Sequence, residues 1–476
     1  MKVLLINAPY PISKMFGTKR PVPFLVNKNL GIGYIAAGLE MQGHSVTFMD
    51  CAALGIGIDE AVDNVQEYSP DAIGIPCFVS GRFLVYDLVR TIKDRMPHLP
   101  VVVGGPQVTL FAEDVFAESP DITIALCGEA EFSFATLITR LEKGGPIADI
   151  PGIVFRDSEG CVQKGPPHEV AQDLDSYPFP ARHVYDQNLY NPMPLTLTLP
   201  SMRTEQVITS RGCNWSKCRF CYQSNANMPC YRRRSPENVI AELRGLVDEA
   251  GIEFVVFLDD DFTVGESWLN RFCDLYEREK FDLKWKVNGR VNTVARDILR
   301  RIAKCGCVHI TYGLESGNQE TLDLIRKGTT LAQARDAVKW SHEAGLLVRA
   351  YIMFGLPRET PEMAEKSLKF AIDLDLDYVT FLPYHVMRKT ALEEIALQEG
   401  RSVPHDNLDL QRPSYVPNTY KDAEHLSRVI QKAYRRFYVR RRYIVRALWS
   451  VKNPKLWPIF FSRIKIGLQY LFLGKI

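Results

Sequence analysis

Short runs rich in Val, Ile and Leu alternate with helix-length segments twice along this chain, and that alternation leaves few architectures open. In residues 1–145 the strand runs fall at 3–7, 45–50, 72–77, 101–104 and 122–127, with helical patterns near 31–42, 58–68, 81–96 and 129–143. Strands joined through helices pair in parallel, so this segment is expected to be a doubly wound, Rossmann-like α/β sheet. Ligands of such sheets lie beyond the carboxyl ends of the strands. Those ends are Asn7-Ala8-Pro9, Asp50 onward, Cys77 to Ser80, Gly104-Gly105-Pro106 and Gly128-Glu129.

Residues 146–204 read as a connector, with a hairpin over 152–164 that turns at Asp157-Ser158-Glu159-Gly160, followed by a Pro-rich stretch. A second βα series fills 205–400, with strands at 206–210, 254–258, 284–288, 309–313, 347–354 and 378–383. Six units rather than eight predict a partial (β/α)6 TIM-type barrel. Residues 401–476 have a helical pattern and form a basic C-terminal tail. From His425 onward there are 13 Lys or Arg and no Asp or Glu, whereas the first 424 residues carry 45 basic against 56 acidic side chains. A basic tail on an acidic body suggests an anionic partner, either a membrane surface or a nucleic acid.

Met1-Lys2 leads straight into a strand run, so no signal peptide is read, and no uncharged apolar stretch reaches the roughly 20 residues that span a bilayer. The expected location is the cytoplasm, where 11 cysteines stay reduced. Eight are scattered, mostly in apolar runs. The other three, Cys213, Cys218 and Cys221, fall within nine residues directly after the first barrel strand. Three thiolates can hold a cubane iron-sulfur cluster with one iron left open. The alternative is a structural zinc site with Cys230 as fourth ligand.

At these residues the chain resembles the cobalamin-dependent radical SAM family, of the class B methyltransferase type, over nearly its whole length. The resemblance implies a 4Fe-4S cluster on Cys213, Cys218 and Cys221, with S-adenosylmethionine (SAM) chelating the open iron. The family spacing is three residues then two; here four residues separate Cys213 from Cys218, which a loop bulge would absorb. Further family stretches are Phe257-Leu258-Asp259-Asp260-Asp261-Phe262, Asn288-Gly289-Arg290, Gly313-Leu314-Glu315-Ser316-Gly317 and Phe354-Gly355-Leu356-Pro357-Arg358-Glu359-Thr360. By resemblance, Glu315 and Ser316 meet the polar groups of SAM, Arg290 its carboxylate and Phe220 the adenine.

In the front domain the likeness runs through Leu30-Gly31-Ile32-Gly33-Tyr34, Gly43-His44, Gly104-Gly105 and Gly128-Glu129-Ala130-Glu131, and implies bound cobalamin. Asn7, Asp50, Ala52, Ser80, Gly104, Gly105, Gly128 and Glu129 are its expected contacts. Other cobalamin domains place a cobalt-ligating histidine two residues after an Asp such as Asp50; Ala52 stands there and offers no donor. His44 and His98 are expected at the surface. Many relatives carry Pro-x-Pro-Gly-Thr after the last strand, whereas this chain has Pro383-Tyr384-His385-Val386-Met387-Arg388, so the substrate stays open.

The resemblance implies methylation of an unactivated carbon, hydrogen abstraction coming from SAM cleavage and the methyl group from methylcobalamin. Oxidative cyclisation or rearrangement of a tetrapyrrole or polycyclic lipid is the alternative, and RNA modification a further one. The family's cofactors also imply a one-electron reductant such as flavodoxin or ferredoxin. Interleaved aromatics and cations over 434–443 suit base stacking or a lipid interface. The expectation is a small, hydrophobic substrate and peripheral contact with the inner face of the membrane, with nucleic acid the weaker reading.

Overall fold

The computed structural model describes residues 1–10, 28–190, 202–224, 230–403 and 411–450, excepting the side chains of 446–450. The chain divides into two compact units, Met1–Asn191 and Pro192–Ile476.

In the first unit, strands β1 (Lys2–Asn7), β2 (Ser45–Asp50), β3 (Ala72–Pro76), β4 (Val101–Gly104) and β5 (Ile124–Leu126) pair in parallel in the order 2-1-3-4-5. Helices α1 (Leu30–Met41), α2 (Cys51–Leu54), α3 (Ile58–Tyr68), α4 (Arg82–Arg95), α5 (Pro106–Glu118) and α6 (Glu131–Lys143) make the crossovers. Apolar residues pack on both faces of the sheet: Leu4, Ile6, Ile73 and Val103 on one, Val3, Leu5, Ala72 and Val102 on the other. This is the alternation a doubly wound sheet requires.

Three features differ from the sequence expectation. Helix α5 is additional; it opens on Pro106 and kinks at Phe111, which breaks its apolar period. The hairpin β6 (Ile153–Arg156) and β7 (Val162–Lys164) forms as expected but extends the β5 edge antiparallel. Ala181, Tyr185 and Tyr190, from the Pro-rich stretch, are buried in the core of the first unit. That part of the connector is therefore packed structure.

The second unit holds six parallel strands, β8 (Thr204–Val207), β11 (Phe254–Phe257), β12 (Lys284–Gly289), β13 (Cys307–Glu315), β14 (Leu347–Phe354) and β15 (Tyr378–Pro383), each paired with the next. Two residues each at β9 (Ser210–Arg211) and β10 (Arg232–Arg233) pair beside the cysteine loop. Helices α7 (Pro236–Asp248), α8 (Glu266–Glu279), α9 (Arg296–Lys304), α10 (Gln319–Leu324), α11 (Leu331–Glu343) and α12 (Pro361–Asp373) connect the strands. Ser235, Thr330 and Thr360 cap α7, α11 and α12, each accepting a first-turn N–H, which fixes where those helices begin. Because β8 and β15 are not paired with each other, the barrel is open.

Past α13 (Glu393–Glu399) the tail is not wholly helical: β16 (Gly400–Ser402) and β17 (Tyr415–Pro417) form an antiparallel pair. Helix α14 (Ala423–Tyr438) then covers the β15 edge. Its Leu426, Ile430, Ala433 and Phe437 are buried, while the hydroxyls of Tyr434 and Tyr438 each accept a strand N–H and donate to a strand carbonyl, at Phe381 and Val379 respectively. Four residues apart on a helix, two tyrosines reach alternate residues of a strand. They satisfy the free ladder groups of an edge that would otherwise invite pairing. Arg436 pairs with Glu365 and Arg442 with Asp375, so part of the tail's charge is answered by the barrel. The first half of the expected interface helix is thus a barrel cap. Helix α15 (Arg441–Ser450) follows, and residues 451–476 lie outside the described residues. No described helix is long and apolar enough to cross a membrane.

Candidate functional site

The cysteine loop is held by hydrogen bonds to the backbone carbonyls of residues 324–326. Arg219 N–H donates to the Ile325 carbonyl at 2.9 Å, Trp215 Nε1 to Arg326 at 2.9 Å, and Arg219 Nη1 to Leu324 at 3.0 Å. The loop therefore docks on the turn after α10. Gly328, at φ +68°, lets that turn close, because a Cβ there would stand 2.1 Å from the Trp215 ring. The extra residue between Cys213 and Cys218 falls in a tight turn: Ser216 takes φ +45° and its hydroxyl donates to the Cys213 carbonyl.

Cys218 is buried, and Cys213 and Cys221 are half-buried. Burial, followed by the Cys218, Asp260 and Cys213 charges among others, pushes the Cys221 thiol up to about 11. The Cys218 thiol is also raised by burial, against the opposing pull of Lys327 and Arg290. The three thiols thus share one pocket beside two cations, which suits thiolates once a metal displaces their protons. Among the described residues no three His, Cys, Asp or Glu side chains converge around a single ion. Cys230 is exposed.

Glu315, Lys327, Arg290 and Phe220 gather at the same place. Glu315 ends β13 after a bulge, at φ +62°, a conformation costly for a residue with a Cβ. It is 8% exposed, and its carboxylate takes the Lys327 ammonium at 2.7 Å. Arg290 is also buried; it donates to the Lys327 carbonyl at 2.5 Å and stacks 5.3 Å from Trp215. The Lys327 ammonium lies 5.9 Å from the Phe220 ring. Ser316 is turned elsewhere: its hydroxyl meets Ser367 at 3.3 Å and accepts from the Asn318 N–H at 3.2 Å. Asp259 holds Thr209 and Ser210, and Asp261 holds Thr263 and Thr293, so both carboxylates brace strand ends. His385 Nδ1 meets Ser414 Oγ at 2.7 Å.

Glu359 is fully buried in the turn after β14, where it accepts from the Gly355 N–H. Burial is the main cause and lifts its carboxyl to about 8, against the backbone N–H groups that favour the anion. A folded-state value above the ordinary one means that the folded chain binds this proton more tightly. Stability should therefore fall as pH rises from about 4.5 to 8, by at most about 1.4 kcal/mol per pH unit. Glu359→Gln should flatten this decline in melts across that window; an unchanged slope would show the carboxyl to be already ionised.

In the first unit Ser80, Gly104, Gly105, Gly128 and Glu129 all lie at the carboxyl ends of β3, β4 and β5. Gly105, at φ +93°, lets these ends close: its Cβ would stand 3.1 Å from the Cys77 carbonyl, which itself accepts from Gln107 N–H. Buried Gln107 Oε1 has no hydrogen-bond partner, and Phe78 and Phe132 are exposed nearby in sequence. Backbone turns, a free buried acceptor and the exposed Phe78 fit a large, partly apolar ligand. Asn7 and Asp50 are the last residues of β1 and β2. The Asp50 carboxylate accepts from Asn7 Nδ2 at 2.9 Å, Tyr190 Oη at 2.8 Å and Ala53 N–H at 3.2 Å. Ala52 is buried in α2. His98 is exposed, but His44 is not at the surface as expected: it is 4% exposed, between the chain's amino group and Thr139.

Residues 207–371 match the family model of the radical SAM superfamily, and residues 25–138 that of the B12 binding domain. An uncharacterized methyltransferase of Pyrococcus horikoshii is 29% identical, with 94% of this chain and 95% of that protein covered. The anaerobic magnesium-protoporphyrin IX monomethyl ester cyclase of Rubrivivax gelatinosus is 25% identical, over 87% of this chain and 74% of its own. Among solved structures, the cobalamin-dependent S-adenosylmethionine radical enzyme OxsB, with aqua-cobalamin and S-adenosylmethionine bound, superposes with a TM-score of 0.74 at 18% identity, covering 99% of this chain and 72% of that one.

Proposed function

Because the chain belongs to the radical SAM superfamily and carries a B12-binding domain, we propose that it methylates an unactivated carbon of a small molecule, with a 4Fe-4S cluster, SAM and cobalamin as cofactors. The observation that carries the reading is the gathering of three thiols, Glu315, Arg290 and Lys327 at one end of an open six-stranded barrel. When bound, the cluster and SAM supply the one-electron chemistry of hydrogen abstraction and cobalamin the methyl group. Cys213, Cys218 and Cys221 hold the cluster. Arg290 takes the SAM carboxylate, Glu315 its amino group and Phe220 packs on the adenine, while Lys327 orients Glu315 and Ser316 sets the following turn. The turns at Ser80, Gly104-Gly105 and Gly128-Glu129 cradle cobalamin. Electrons come from a flavodoxin or ferredoxin.

A finer reading makes the substrate largely hydrophobic and brings it from a membrane surface held by the last cationic segment. Its support is the run of Phe, Leu, Trp and cations over 451–476.

The test is anaerobic reconstitution with methyl-labelled SAM, a reductant and a small-molecule extract. S-adenosylhomocysteine and 5'-deoxyadenosine should form together, with the label recovered on carbon. 5'-deoxyadenosine alone, with a product that has gained no carbon, would replace methylation by cyclisation.

A further inference from the structure

Four adjacent barrel strands bear a row of basic and aromatic side chains that the cofactor residues do not use. Strand alternation fixes their face. Val287 and Trp285, Ile310, Val348 and Val379 pack in the core with the helices, so their neighbours Lys286, His309, Arg349 and Tyr378 have the opposite parity and face the barrel interior. Lys286 is in register with His309, and Arg349 with Tyr378. The Tyr378 ring lies 6.2 Å from the His309 ring and 5.7 Å from the Arg349 guanidinium.

Nothing acidic balances this row at Lys286. Its ammonium is held down to about 7, by burial first and then by Arg349, and no carboxylate acts against them. His309 is 1% exposed, and neither ring nitrogen has a hydrogen-bond partner. The acid that does act on His309, Asp377, accepts from Val348 N–H at 2.8 Å and His342 Nε2 at 3.1 Å. A largely buried ammonium such as Lys286, with no carboxylate against it, is costly until an anion reaches it, and so are the buried ring nitrogens of His309 until a partner arrives.

We propose that this row binds an acidic group of the substrate, a carboxylate or a phosphate, seated between Lys286 and Arg349 with His309 beside it. The inference rests on the methyltransferase reading and names the class of molecule it acts on. Lys286 lies three residues before Gly289, where β12 ends, so the anion sits about 10 Å along the strand from the barrel mouth. Anchored at that end, a molecule with an otherwise apolar body presents one stretch of carbon to the mouth, which restricts the position methylated.

The test uses reconstituted holoprotein without reductant, with inorganic phosphate and propionate as probes and calorimetric titration as the readout. One probe should bind saturably, and the one that binds more tightly tells phosphate from carboxylate. Lys286→Met and Arg349→Met should each weaken it by roughly tenfold or more. Lys286→Met removes a buried cation and should melt no lower than the native protein, so its loss of binding is not loss of fold. Binding of neither probe, or binding unchanged in both variants, would overturn the site. SAM cleavage that fails while probe binding persists would count against methylation alone, and the reverse against the anion site alone.

Discussion

A triple alanine variant at Cys213, Cys218 and Cys221 should fold and bind cobalamin, yet lose the cluster's visible absorption and all SAM cleavage. The fold survives because the loop is fastened by groups that the change leaves in place: Arg219 on Leu324 and Ile325, Trp215 on Arg326, and the Leu392 N–H on the Arg219 carbonyl. The cluster does not survive, because all three thiols that would hold it are removed together. Cys273 and Cys305 interact with each other under the helices, Cys307 is enclosed in the same core, and Cys230 is exposed. Cys305→Ala should accordingly leave iron and absorption at native levels. Iron content and circular dichroism check both variants; native iron in the triple variant would remove the cluster from this loop.

Much of this arrangement was legible in the residues, because burial on both faces of a sheet forces continuous apolar runs. The strand segments at 45–50, 101–104, 347–354 and 378–383 form with those bounds. What escaped has identifiable causes. Helix α5 begins with Pro106 and changes direction at Phe111, so no single period runs through it. The Pro-rich connector looked like linker because its burial depends on Ala181, Tyr185 and Tyr190, three residues spaced without period. At the site, strand ends announced Arg290 and Glu315, but nothing near Lys327 shows that two left-handed residues, Arg326 and Gly328, turn it back to Glu315. Asp50 was read as a ligand neighbour. Its carboxylate also accepts three hydrogen bonds, from Asn7, Tyr190 and Ala53, and the Tyr190 partner 140 residues away is invisible in local sequence. The aromatic and basic run over 434–443 suited lipid or RNA equally; its tyrosines answer a strand edge that only the folded barrel creates.

The tail therefore has to be divided before its membrane role can be measured. Ending the chain at Asp422 should leave the second unit aggregated or unfolded. Leu426, Ile430 and Phe437 are at most 5% exposed, and at about 2 kcal/mol each their burial contributes about 6 kcal/mol, comparable with the whole stability of many domains. Without Tyr434 and Tyr438 the N–H and C=O groups of Val379 and Phe381 would also open a strand edge to other chains. Ending it at Ser450 should instead keep cluster, cobalamin and melting temperature, because every one of these contacts remains. The shorter deletion removes five Lys or Arg together with the apolar residues between them. At about 1 kcal/mol for each cation near an anionic surface, affinity for such vesicles should fall by roughly a thousandfold or more. Sedimentation with phosphatidylserine vesicles reads this directly, and the intact protein should be released as salt screens the attraction. Equal sedimentation of the intact chain and the Ser450 variant would end the membrane reading; RNA binding lost with the same deletion would put a nucleic acid in the membrane's place.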